Sequence, residues 1–336
     1  MSKSQEILKS QSSLSFRQAY QMQKKILKNE LSNSELLKIF TLMDRPLQLS
    51  EFYGFYKASE DAMIQVNTQF ELLDTCGTGG DELRTFNIST AAAILCSALG
   101  VRVAKHGNRS ASSKCGSADV LEELGVNIDL NADQVASCIK VTGFGFLFAQ
   151  EFHPAFKYAA FARKIFGKRT YFNFLGPLLN PAAAAFRLVG VSDPAMAELM
   201  GRTLIKTGIK KAWIVYSHEG MDEISATGTT NVLQFTSNGE VKKFVINPLD
   251  YGLRTVYLTE LYGGDKKDNA EIIRKILNAQ GTEAQTNAIV LNASAGLVIA
   301  GKIDNYAEAL KVAQRGIEQK LGLRKLDEII KITNQL

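Results

Sequence analysis

The chain has 336 residues and a mass of 36.9 kDa, is 46% hydrophobic and 22% charged, and carries 39 Lys and Arg against 34 Asp and Glu. This composition excludes a disordered, fibrous or collagen-like chain, and a net charge of +5 is too mild to name a nucleic-acid binder. The absence of any apolar run near the ~18 residues of a membrane helix, of a signal-like N-terminus, and of C-x-x-C or H-x-x-x-H spacing among the four cysteines and three histidines points to a reduced, cytoplasmic protein with neither a zinc site nor a membrane partner.

Residues 1–70 read as helices. Ser32 with Glu35 has the pattern of a capping box ahead of Leu36, Leu37, Phe40 and Met43, and another helical pattern starts near Ser50. From Glu71 the pattern changes. Leu72 and Leu73 lead into the turn Cys76-Gly77-Thr78-Gly79-Gly80, Thr90–Leu99 reads as a buried helix and Val101–Ala104 as a short strand. Further strands are expected at Gly145–Phe148, Leu188–Val191 and Ala212–Tyr216, with a hairpin of Asn231–Phe235 and Val241–Ile246 around Ser237-Asn238-Gly239. The tail from Asn287 is helical with a break near Gly301. The fold class is α/β. It places a small helical N-terminal domain at 1–70, with a return at about 170–186 where Pro177 and Pro181 interrupt an apolar run, and a large α/β domain at 71–169 and 187–336.

Charge is unevenly spread. Leu83–Ala118 and Phe152–Ser192 contain no Asp or Glu but hold eleven cations, among them Arg84, Lys105, Arg109, Arg163 and Arg187. Two acid-free basic stretches fit a pocket for a polyanion. The segment Asp74-Thr75-Cys76-Gly77-Thr78-Gly79-Gly80-Asp81 supplies glycines at a strand end, where successive N–H groups can form an anion-binding concavity. It matches neither G-x-x-x-x-G-K-[ST] nor G-x-G-x-x-G. The hydroxyls of Thr85, Ser89 and Thr90 follow at a helix start, a phosphate-binding position. Lys105–Ser113 adds two cations, an amide and several hydroxyls. Asp222-Glu223 offers adjacent hard-oxygen ligands for Mg²⁺, and Arg163 on a helix offers a fork for a carboxylate. Each has a plainer alternative: a structural turn, a solvated loop, an acidic pair in a turn, a surface arginine. Together they suit a reaction whose substrate brings its own leaving group, such as pyrophosphate, while the protein positions it and stabilises charge.

The blocks DTCGTGGD, TFNIST (Thr85–Thr90), KHGNRSASSKCGSADVLEELG (Lys105–Gly125), HPAF (His153–Phe156), RTYFNFLGPLLNPA (Arg169–Ala182) and DEIS (Asp222–Ser225) occur in one order, and over nearly the whole chain the sequence resembles the anthranilate phosphoribosyltransferase family. The resemblance implies a nucleoside phosphorylase-like fold and transfer of the 5-phosphoribosyl group of phosphoribosyl pyrophosphate to the amine of anthranilate, with Mg²⁺ and release of pyrophosphate. It also implies a homodimer joined through the helical domain. Carried onto this chain, it places phosphoribosyl pyrophosphate on Gly77, Gly80, Asp81, Thr85, Asn87, Ile88, Ser89, Thr90, Lys105, His106, Gly107, Asn108, Arg109, Ser110, Ala111, Ser112, Ser113 and Ser117. It places anthranilate on Gly77, Asn108 and Arg163, and Mg²⁺ on Ser89, Asp222 and Glu223, with no dedicated catalytic acid or base. Glu82 and Phe156 depart from the family's usual residues without removing a named ligand. A nucleoside phosphorylase would differ in its glycine and lysine motifs, and a non-catalytic nucleic-acid binder would bind DNA salt-sensitively without turnover.

Overall fold

The structure is a computed structural model that describes residues 13–81, 83–110 and 114–336. Three helices open it: α1 (Phe16–Leu27), α2 (Asn33–Leu42) and α3 (Leu49–Glu60). The capping box at α2 forms as its sequence requires. Ser32 Oγ accepts the Glu35 N–H at 3.4 Å, and the Ser32 N–H donates back to Glu35 Oε2 at 2.9 Å.

A seven-stranded sheet follows, with β1 (Leu73–Gly77), β2 (Val103–Gly107), β3 (Phe144–Phe148), β4 (Phe186–Gly190), β5 (Lys211–Ser217), β6 (Thr230–Thr236) and β7 (Val241–Ile246). Their order is β3-β2-β1-β4-β5-β6-β7. The first five are parallel, and the expected hairpin adds β6 and β7 antiparallel. Strands buried on both faces read as continuous apolar runs, as all five buried residues of β3 do. The edge strand β7 instead exposes Lys242 and Lys243, which discourages edge pairing.

Between the strands lie α4 (Ile88–Ala98), α5 (Ser117–Glu123), α6 (Ala132–Thr142), α7 (Ala149–Phe152), α8 (Lys157–Phe166), α9 (Tyr171–Leu175) and α10 (Pro194–Lys206). The chain ends in α11 (Lys266–Leu277), α12 (Glu283–Ile299), α13 (Tyr306–Glu318) and α14 (Leu321–Thr333). One buried cluster joins Leu73, Phe144, Leu188 and Trp213 of the sheet to Leu95, Leu291, Ile317 and Leu326 of the helices. A second joins Ile26, Phe40, Phe52 and Phe55 to Ala159, Ala162, Phe172 and Leu175, and continues through Met200 to Ile214 and Phe235 of the sheet. Helix α8 thus packs with α1–α3.

Among the boundaries that differ from the sequence reading, two matter for the site. The strand expected at Val101–Ala104 runs from Val103 to Gly107, because it pairs residue for residue with Phe144–Phe148. Lys105 and His106 are therefore strand residues, held by a ladder. The helix expected from Thr90 starts at Ile88 with Asn87 as its cap, so Ser89 and Thr90 fall in the first turn, where N–H groups have no intrahelical partner.

Strand β1 is the switch point from which β2 and β4 lie on opposite sides, the place where open α/β sheets form a crevice at the carboxyl ends of their strands. Strand β1 pairs with β4 from Leu73 to Gly77, but its register with β2 is only Leu73 opposite Val103. Side chains bridge the parting strands. Asp74 Oδ1 accepts the His106 N–H at 3.0 Å, and Asn180 Nδ2 donates to Asp74 Oδ2 at 2.8 Å and to the Ala104 carbonyl at 2.7 Å. The buried Arg187 guanidinium pairs with Asp74 at 3.0 Å.

Candidate active site

The glycine turn leaves β1 at Gly77. A Cβ there would lie 2.2 Å from Asp222 Oδ2, and one on Gly190 at the end of β4 would lie 1.6 Å from the Asp222 carbonyl oxygen. Both strand ends must therefore lack a side chain for the Asp222 loop to sit between them. Asp222 Oδ2 accepts the Gly79 N–H at 2.7 Å, and Glu223 Oε1 accepts the Ser89 N–H at 3.1 Å in the first turn of α4. The two sequence-adjacent carboxylates thus face two different elements of the site.

Desolvation, followed by the Asp81 charge, pushes the Asp222 carboxyl up to about 6. Desolvation, followed by the Asp222 charge, pushes Glu223 up to about 8, while Lys105 pulls it back. Three carboxylates gathered in a recess are short of positive charge, which is the environment a divalent cation fits. At the start of α4, Asn87 Oδ1 and Thr90 Oγ1 are buried with no hydrogen-bond partner among the described residues. No group of three His, Cys, Asp or Glu side chains placed to hold a metal ion exists among the described residues. Mg²⁺ in general binds through one or two carboxylates and completes its shell with water and substrate phosphates.

Lys105 is 2% exposed and lies in the gap between β1 and β2. Its Nζ donates to the Thr75 carbonyl at 2.5 Å and to Ser89 Oγ at 3.3 Å. Gly107, at the end of β2, faces Ser117: a Cβ there would lie 2.1 Å from Ser117 Oγ, which donates to the Asn108 carbonyl at 3.3 Å. Asn108 is exposed and its Oδ1 lies 3.5 Å from Gln150 Nε2. Arg109 turns to α5, paired with Asp119 at 3.1 Å and Glu122 at 3.0 Å. The Ser110 N–H donates to Asp119 as well. Asp81 Oδ1 accepts the Leu83 N–H, Thr85 bridges to Tyr262, and the Ile88 side chain is buried in the core while its N–H donates to the Phe86 carbonyl at 2.7 Å. Ala111, Ser112, Ser113 and Glu82 lie outside the described residues.

Arg163 stands on α8, with its guanidinium 5.3 Å from the centre of the Phe172 ring and Nη2 donating to Asn173 Oδ1 at 3.3 Å. Burial holds its pKa below the usual arginine value. Phe156 packs edge-on against Phe172 at 5.3 Å and lies 5.2 Å from His153, whose ring is 5.0 Å from that of His106. These aromatic rings connect the end of β2 to the base of α8.

The family model described as glycosyl transferase family, a/b domain, matches residues 69–319. The anthranilate phosphoribosyltransferase of Pelotomaculum thermopropionicum is 41% identical over 325 residues, 96% of this chain and 94% of the relative, and that of Petrotoga mobilis is 46% identical over 266 residues, 79% and 77%. The chain belongs to the anthranilate phosphoribosyltransferase family. Among solved structures of that family, the Thermus thermophilus enzyme superposes with a TM-score of 0.91 at 33% identity, covering 96% of this chain and 97% of that one. The Saccharomyces cerevisiae enzyme in complex with phosphoribosyl pyrophosphate and Mg superposes with a TM-score of 0.89 at 26% identity, covering 96% and 94%.

Within this family frame, several residues that build the site carry no local sequence signal. Asn292, buried on α12, accepts the Ile224 N–H at 2.9 Å and donates to the Ile224 carbonyl at 2.8 Å, fixing the residue after Glu223 at both ends. Asn180 and Arg187 reach Asp74 from more than a hundred residues away. Arg169 and Ser192 meet at the Gly79 carbonyl. In the sequence Arg187 stands out only as a member of an acid-free stretch, and Arg169 only as a member of the same stretch and the first residue of the block Arg169–Ala182.

Proposed function

We propose that this chain transfers the 5-phosphoribosyl group from phosphoribosyl pyrophosphate to the amine of anthranilate, releasing pyrophosphate, in tryptophan biosynthesis. The observation that carries the reading is the meeting, at one switch point, of the glycine turn, the first turn of α4, the Lys105 ammonium and the Asp222-Glu223 pair. The Saccharomyces cerevisiae relative with phosphoribosyl pyrophosphate and Mg, and a second structure of it with 4-fluoroanthranilate at 25% identity and a TM-score of 0.87, support the substrate classes.

In this reading the diphosphate of the donor lies on the glycine turn and the α4 N-terminus, whose N–H groups favour anions. Lys105 has three donors and uses two on Thr75 and Ser89, so the third serves a phosphate oxygen. Asp222, Glu223 and Ser89 would hold Mg²⁺, which when bound supplies charge to balance the departing pyrophosphate. Arg163 grips the anthranilate carboxylate through its fork, with Asn108 and Gly77 beside the acceptor. The bond from the anomeric carbon to the pyrophosphate oxygen breaks with its electron pair, the amine lone pair forms the new C–N bond, and the amine proton leaves. An aromatic amine is neutral at pH 7, so positioning does most of the work and no strong protein base is needed.

The division of the chain that we propose gives the donor and metal to 71–169 and 187–336, and dimer contacts to the helical part, 1–70 with 170–186. A groove of about 380 Å³ lined by Phe16, Leu49, Tyr53 and Lys206, with Phe16 40% exposed, supports a two-fold contact there. The cysteines are free, as a reducing cytoplasm requires, and no helix among the described residues is long and apolar enough to cross a membrane. Loss of anthranilate fluorescence on mixing the protein with phosphoribosyl pyrophosphate and Mg²⁺ tests the activity. Unchanged fluorescence with folded protein would overturn the reading.

A further inference from the structure

Two side chains outside the glycine turn converge on one of its carbonyl oxygens. Arg169 donates Nη2 to the Gly79 carbonyl and Nη1 to Ser192 Oγ at 2.8 Å, while its guanidinium lies 5.4 Å from the centre of the Phe174 ring. Ser192, just beyond β4, donates its hydroxyl to the same Gly79 carbonyl at 2.9 Å, and its N–H donates to Thr78 Oγ1 at 3.2 Å. Arg169 comes from the segment between α8 and α9 and Ser192 from just beyond β4, and the two side chains, hydrogen-bonded to each other, hold the carbonyl together.

The held peptide is the one most in need of it. Gly79 and Gly80 sit at φ +64° and +72°, and a peptide flanked by two glycines meets no Cβ when it rotates. Its carbonyl and the Gly80 N–H share one plane and point opposite ways. Gripping the carbonyl therefore aims the Gly80 N–H away from Arg169 and Ser192. The Gly79 N–H is already taken by Asp222, so the orientation of the next peptide decides what the turn can offer an anion. We propose that Arg169 and Ser192 are positioning residues that hold the Gly79–Gly80 peptide in the orientation presenting the Gly80 N–H to a phosphate oxygen of the donor. This rests on the reading of the glycine turn as the donor site. Arg169 acts through the turn, since its guanidinium is engaged by Gly79, Ser192 and Phe174.

The test compares Arg169→Ala, Ser192→Ala, Arg169→Lys and, as a reference for the donor site, Lys105→Ala. Each substrate is varied in steady-state assays with Mg²⁺, and the amides of selectively ¹⁵N-glycine-labelled protein are followed by NMR. Arg169 is exposed, so thermal stability should hold. The expected result is a KM for phosphoribosyl pyrophosphate raised about 5- to 20-fold in each clamp variant, with kcat and the KM for anthranilate within about twofold. Arg169→Lys should recover part of the loss, because one ammonium can still reach the carbonyl but cannot hold Ser192 too. The Gly80 amide should broaden in Arg169→Ala without any ligand present. If the clamp variants keep the wild-type KM and a sharp Gly80 signal while Lys105→Ala raises the KM, the clamp is wrong and the donor site stands. If Lys105→Ala also leaves that KM unchanged, the donor-site reading itself falls. A fall in kcat alone in Arg169→Ala would make Arg169 a direct contact of the transition state and overturn the positioning role.

Discussion

Around the glycine turn, polar atoms find partners across great chain distances: Asp222 on Gly79, Glu223 on Ser89, Lys105 on Thr75, Asp74 on His106, Asn180 and Arg187. Arg163, on the proposed acceptor side, has among the described residues one 3.3 Å hydrogen bond to Asn173 and the face of Phe172. On the proposed assignment of the two sides, the contrast shows what each substrate demands. A leaving diphosphate must meet fixed charge at the moment its bond breaks, so its side is braced in advance. The acceptor carboxylate keeps the same charge while the C–N bond forms, so a fork that settles onto it is enough and its side can be held lightly.

The largest expected effect breaks the braced side. Asp222→Asn with Glu223→Gln keeps shape and removes both carboxylate charges, and kcat/KM should fall by roughly 10²- to 10³-fold with folding intact. Activity measured across Mg²⁺ concentrations checks this, and wild-type rates at limiting Mg²⁺ would remove the pair from the metal. Next comes the acceptor. Arg163→Ala should lower kcat/KM for anthranilate by about 10- to 150-fold and leave the KM for phosphoribosyl pyrophosphate nearly unchanged. Arg163→Lys should rescue poorly, because one ammonium cannot reproduce a bidentate grip. Kinetics with each substrate varied in turn decide, and a selective loss of donor affinity would put the acceptor on the wrong residue.

The two sides also differ in how far sequence alone reveals them. The braced side announces itself in contiguous blocks, because glycines at a strand end and an adjacent acid pair are local patterns with local causes. The Ser32–Glu35 cap and the β6–β7 hairpin are legible for the same reason. What holds those blocks is not local. The Asp74–Asn180–Arg187 network, the Asn292 clamp and the hold of Arg169 and Ser192 on Gly79 are set by topology, and no spacing rule links residues more than sixty positions apart. Strand β2 shifted by two residues for a related reason. Hydrophobicity favours starting it at Val101, but pairing with β3 carries it through the polar Lys105 and His106. Arg109 shows the reverse case, a cation in a basic stretch whose partners, Asp119 and Glu122, stand just beyond its end.

A third prediction probes the seam where the two sides meet. His106 on β2 and His153 before α8 are both buried and lie with rings 5.0 Å apart. Burial, with the Arg187 charge, pushes His106 down to about 3, and burial, with His106, does the same to His153. Both are therefore neutral in the fold, while an unfolded histidine protonates near 6.5. The unfolded state takes up more protons below that value. Their stability contribution is whole above pH 6.5 and is lost as pH falls toward 3, at about 1.4 kcal/mol per pH unit for each ring. Urea unfolding should show about 2 kcal/mol lost per histidine at pH 5 relative to pH 7, and His153→Gln should remove one histidine's share of that slope. An unchanged slope would mean that these rings charge in the fold.

The smallest effect sharpens the contrast from the light side. Asn173 Oδ1 accepts from Arg163 at 3.3 Å and from the Thr170 N–H at 2.9 Å, so it both steadies the arginine and caps α9. A long hydrogen bond to a half-buried guanidinium is worth about 0.5–1.5 kcal/mol, and Asn173→Ala should raise the KM for anthranilate only about 2- to 10-fold. Asn173→Asp separates support from competition. The aspartate keeps both acceptor positions and so keeps the cap, but its charge would pair with Arg163 and occupy the fork that the substrate carboxylate needs. It should therefore raise the KM for anthranilate more than alanine does, while leaving thermal stability closer to wild type. If Arg163 were instead braced like Lys105, the order would reverse: alanine, which strands the arginine, would be the more damaging change, and the aspartate would be nearly silent. Steady-state KM values and melting temperatures of the two variants, measured side by side, distinguish a fork that waits for its carboxylate from one already fixed in place.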